Sequence, residues 1–115
     1  MGEKIIVEVD QFLKDIVPKF LQARRDDMGN LQQLLQKQSW NEIQSIAHKI
    51  KGNAGSYGLT YLGDLGAQLE TACKTQKTSI APELVAKMKD YLEKVEIQFV
   101  SKSDEDDEDD EEDDD

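Results

Sequence analysis

Apolar residues recur at helical spacing along nearly the whole chain. Val9, Phe12, Leu13, Ile16, Val17, Phe20 and Leu21 step by three, four and one, and Met28, Leu31, Leu34 and Leu35 continue the stripe. Such spacing gives an amphipathic helix with one apolar face. No segment reads as the period-2 alternation of a strand, and 2 prolines and 7 glycines in 115 residues are few for a loop-rich β fold. A chain of amphipathic helices buries its stripes by packing them together. The expectation is an all-α, antiparallel four-helix bundle, stabilised mainly by apolar burial at roughly 25 cal/mol per Å².

The punctuation residues divide this pattern. Pro18 implies a short extra N-terminal helix and a long second one starting near the proline, since the first turn of a helix tolerates a residue without an N–H. A single kinked helix is the competing reading. Ser39-Trp40-Asn41-Glu42 fits a capping box and opens a helix to about Tyr57, which Gly58 is placed to end. Leu62, Leu65, Leu69, Ala72 and Cys73 mark the next helix, and Thr75 to Ala81 reads as a polar loop. Pro82 begins a last helix with Leu84, Val85, Met88, Leu92, Val95 and Phe99 on one face.

The net charge of −11 is unevenly spread. Residues 104–115 hold twelve of the 25 acids and no base, leaving 13 acids against 14 bases elsewhere. Two parts are therefore expected: a helical bundle over 1–102 and a disordered acidic tail over 103–115, because adjacent carboxylates repel and bury nothing. The tail reads as a solubilising segment, or as a weak, salt-screened competitor for positive charge on the bundle. A near-neutral bundle with such a tail is a poor nucleic-acid binder. One cysteine, Cys73, excludes an intrachain disulfide framework and reads as a small apolar helix residue. No apolar run approaches a membrane span, and the N-terminus lacks the apolar stretch of a signal peptide. A cytoplasmic monomer without cofactor or metal is expected.

The informative segment is Glu42 to Tyr57. On a wheel of about 100° per residue, Ile43, Ile46, Ile50 and Tyr57 fall within about 40° of the point opposite His48. His48 thus lies on the solvent side, with Gln44, Lys51, Gly52 and Gly55 around it. Two glycines inside an exposed helical face cost about 2 kcal/mol relative to alanine, against a typical stability of roughly 5–15 kcal/mol. Clearance beside the imidazole, for another protein to approach, is a plausible return. Unperturbed imidazole is mostly neutral near pH 7, so a ring nitrogen can act as nucleophile. Lys51, at i+3, can pair with a phosphate on the ring. Zinc needs three or four ligands, and no second histidine exists. A Ser-His-Asp hydrolase lacks its strand-turn-helix setting.

The run from His48 through Lys51-Gly52, Gly55 and Gly58-Leu59 resembles the histidine-containing phosphotransfer (HPt) domain of bacterial two-component phosphorelays. Val17-Pro18-Lys19-Phe20-Leu21 and Leu62 to Glu70 are similar to members of the same family, and the likeness covers about residues 9–100. The resemblance implies a four-helix bundle with His48 as phosphoacceptor. His48 would carry a phosphoryl group between aspartates of receiver domains, or from a histidine kinase. Lys51 would stabilise it, and Gln44, Gly52 and Gly55 would meet the docked receiver. The chain would then be a carrier rather than an enzyme, as no ATP-binding segment is present. A helical adaptor in which His48 is incidental, and a phosphohistidine phosphatase or hydrolase, remain as other readings.

Overall fold

The computed structural model describes residues 3–101. Strand β1 (Ile5–Asp10) leads through one 3-10 turn (Gln11–Leu13) into α1 (Val17–Lys37). Then come α2 (Trp40–Ser56), α3 (Thr60–Lys74), a second 3-10 turn (Thr78–Ile80), α4 (Ala81–Lys94) and β2 (Val95–Val100). The four helices form the expected bundle. Leu31, Ile43, Ile50, Leu62, Leu69, Met88 and Leu92 supply its fully buried side chains. Cys73 is buried and its thiol is pushed up by desolvation, as suits a small apolar residue. The acidic tail, and with it the expected boundary near residue 102, lies outside the described residues.

The two ends of the bundle differ from the sequence reading. In place of a short N-terminal helix there is a strand, and the last helix stops at Lys94 rather than running on to Phe99. β1 and β2 pair in parallel, with Ile5 opposite Val95 and Val9 opposite Phe99. Ile5, Val7 and Val9 share one side, more buried than the side holding Ile6 and Glu8. Six residues rich in β-branched side chains favour the extended form once a partner strand is available. Phe12 and Ile16, assigned to the apolar stripe, are exposed. Pro18 lies in the first turn of α1, so the helix starts there and does not kink. Arg25 on α1 donates to the Leu92 carbonyl from Nη2 at 3.1 Å. That carbonyl belongs to the last turn of α4, where helix acceptors lack intrahelical partners.

The connections explain why the helices reverse so tightly. Gln38 takes a left-handed φ of 57°, and the Ser39 N–H closes back on the Leu34 carbonyl at 3.0 Å. Ser39 makes no side-chain cap, so the expected capping box does not form; its N–H finishes α1, while its carbonyl opens α2 by accepting from the Ile43 N–H at 3.1 Å. Between α2 and α3, Gly58 has φ +83°, a conformation costly for any residue with a Cβ. The Leu59 N–H then reaches the Ala54 carbonyl at 2.9 Å, a Schellman closure that turns the chain in three residues. The stretch read as the loop before Pro82 contains the second 3-10 turn.

Candidate functional site

α2 presents its faces as the wheel requires. Ile43, Ala47, Ile50 and Ala54 are fully buried, whereas the His48 side chain is 67% exposed. Lys51, Gly52 and Gly55 are exposed beside it. A methyl group at Gly52 or Gly55 would meet nothing within 4 Å, so neither glycine is required by packing within the domain. Gln44 is half-buried and lines, with His48 and Lys74, a recess of about 470 Å³ between α2 and α3.

The sequence reading missed the residue on which this face converges. Glu70 comes from α3, one turn beyond Gly66, and is 5% exposed. Its Oε2 lies 2.8 Å from His48 Nδ1. Lys51 Nζ donates to Oε1 at 3.2 Å, and Lys74 Nζ lies 3.4 Å from Oε2. The approach depends on Gly66, which packs against the backbone of α2 at Ala47 and Lys51. A signal was present: Glu70 is an acid directly after Leu69 and three residues before Cys73, inside the apolar stripe of α3, where a lone carboxylate requires partners.

These partners fix the charge. The His48 hydrogen bond, opposed by burial and helped by Lys51 and Lys74, holds the Glu70 carboxyl down at about 2 from an ordinary 4.5. An ionised carboxylate only accepts hydrogen bonds, so His48 Nδ1 must donate. In the neutral ring the lone pair then resides on Nε2. The lowered value also sets an acid dependence. Glu70 binds its proton more weakly folded than unfolded, so its contribution is complete above about pH 4.5 and is lost as pH falls toward 2. Glu70→Gln is expected to flatten the fall in stability between pH 4.5 and 2, read from denaturant midpoints across that range. An unaltered slope would mean the cluster contributes nothing to acid unfolding.

Among the described residues, no group of three or more His, Cys, Asp or Glu side chains is placed to hold a metal ion. No described helix is long and apolar enough to cross a membrane. In comparison with known proteins, the model of the Hpt domain family matches residues 15–98, well over half of the chain. No curated protein and no solved structure matches it.

Proposed function

The chain belongs to the Hpt domain family, the phosphoryl carriers of phosphorelays, and on that premise we propose that His48 is its phosphoacceptor, reacting through Nε2. Hpt domains exchange the phosphoryl group with receiver domains and kinases and are not themselves kinases. The observation that carries the assignment is the 2.8 Å contact between Nδ1 and the ionised Glu70 on an otherwise exposed ring.

The transfer balances without an added acid or base. The Nε2 lone pair attacks the phosphorus of a receiver's aspartyl phosphate. The P–N bond forms as the P–O bond breaks, and the electron pair leaves with the aspartate carboxylate. The proton on Nδ1 stays, so the phosphorylated ring is an imidazolium whose charge faces Glu70. In the onward step a carboxylate oxygen attacks phosphorus and the P–N electron pair returns to Nε2. Glu70 therefore selects the reactive tautomer and stabilises the charged intermediate. Lys51, held at Glu70 Oε1, is placed to pair with phosphoryl oxygens. Gly52 and Gly55 leave the face clear for the receiver, and Gln44 flanks His48 on the preceding turn. Any metal ion used in the exchange belongs to the receiver. With this role we also read the carrier as a cytoplasmic monomer, divided into the carrier domain over 1–102 and the acidic tail over 103–115.

The assignment is tested by incubating the full chain with a panel of phosphorylated receiver domains. The expected product is an acid-labile, alkali-stable phosphoryl group that maps to Nε2 of His48 by phosphorus NMR and peptide analysis. A label that survives acid, or maps to another residue, overturns it.

A further inference from the structure

The paired strands are an unfinished sheet. Among the described residues β1 and β2 are its two strands, so each keeps one edge without a strand neighbour. A two-stranded sheet is marginal by itself and gains stability from a further strand or a covering helix. This one has little of either: its strands pack mainly on each other and on the turn Gln11–Leu13. Val9 and Val95 are buried, whereas Phe99, on the same side of the sheet, is 36% exposed, and Phe12 in the adjoining turn is 69% exposed. A strand edge beside exposed aromatic rings is a template for an added strand.

Charge decides what that strand can be. The sequences of β1 and β2, IIVEVD and VEIQFV, hold three acids and no base. The lysine directly before each strand is engaged, Lys4 with Glu96 at 3.6 Å and Lys94 with Asp90 at 3.1 Å. Beyond Val100 three residues, one of them a lysine, separate β2 from the twelve acids of 104–115. Those acids are poor occupants of the edge, because carboxylates cover no apolar side chain. A second copy would bring the same acids to the same edge, and like charges across a strand pair oppose pairing.

We propose that the free edge of β2 docks an extended segment of another protein in which apolar and basic residues alternate. Alternation puts the two kinds of side chain on opposite faces. The apolar ones continue the face of Val95, Ile97 and Phe99. The basic ones continue the face of Glu96, and the twelve acids that follow β2 in the chain attract them to this strand rather than to β1. The inference does not rest on His48 being the acceptor. Neither strand belongs to the α2–α3 face that carries His48, so a docked segment leaves that face open and raises the local concentration of whatever it is tethered to.

The test uses the full chain, labelled with nitrogen-15, and a capped hexapeptide of alternating valine and lysine as the probe. At low salt the peptide should protect alternate amides of β2 from hydrogen exchange and leave those of β1 unchanged. Replacing its lysines by glutamates should weaken binding about tenfold or more. Glu96→Lys should weaken it about fivefold, the scale of one cross-strand charge pair, with circular dichroism unchanged. An all-lysine hexapeptide should leave β2 unprotected, since attraction to the acidic residues alone forms no strand. Absent protection, protection at β1 instead, equal binding of the glutamate peptide or equal protection by the all-lysine peptide overturns the proposal. So does a chain that sediments as a dimer with β2 already protected, because a second copy then occupies the edge.

Discussion

His48→Gln should abolish phosphoryl labelling while leaving the bundle folded. Glutamine is the informative replacement because of Glu70. That carboxylate is buried and ionised, with His48 contributing most to its lowered pKa, and removing a partner from a buried charge destabilises for reasons unrelated to chemistry. A glutamine amide can still donate to Oε2 from the same helical position, and it carries no nucleophilic ring nitrogen. Labelling by phosphorylated receivers should fall below detection, helical circular dichroism should be unchanged, and the melting temperature should shift by no more than a few degrees. Residual label on the variant would place the acceptor elsewhere and would leave the Glu70 cluster as a structural ion pair.

The bundle and most of the site were legible because both are written in local spacing. His48, Lys51, Gly52 and Gly55 lie within two turns of one helix, so the wheel places them on one face before any tertiary contact is known, and Ile43 and Ile50 mark the opposite one. Glu70 is 22 residues from His48. Its place beside the ring depends on how closely α3 packs on α2, which helical periodicity alone does not encode. The terminal strands failed for a related reason. Val95 and Phe99 fit a helical step of four as well as an alternation of two, and only their pairing with Ile5 and Val9, some 90 residues away, decides between them. Ser39 shows the reverse case: a sound local signal for a capping box was overridden because the same residue closes the preceding helix.

Gly66 of α3 and the glycines of α2 should respond to alanine with opposite signs. A Cβ at Gly66 would lie 2.9 Å from the Lys51 backbone nitrogen and 3.0 Å from the Ala47 carbonyl oxygen. Both atoms belong to the helix ladder of α2 and cannot yield, so α3 must move away. Overpacking of this kind costs about 1–3 kcal/mol, only partly offset by the better helix propensity of alanine. The displacement also carries off Glu70, one turn further along, so Gly66→Ala should lower stability and loosen the Nδ1 hydrogen bond together. Nitrogen NMR of the His48 ring would show the second effect as a mixture of tautomers. At Gly52 and Gly55 the added methyl meets open space, and each alanine should stabilise the isolated domain by up to about 1 kcal/mol. A larger residue, as in Gly52→Gln or Gly55→Gln, should keep the fold yet slow transfer from a receiver, because the side chain stands where the partner must approach. Thermal melts of these variants, with transfer rates measured alongside, separate the two roles. If Gly66→Ala is as stable as wild type and retains a single His48 tautomer, close helix packing is not what sets the histidine. If Gly52→Gln transfers normally, the bare face of α2 is not the docking surface.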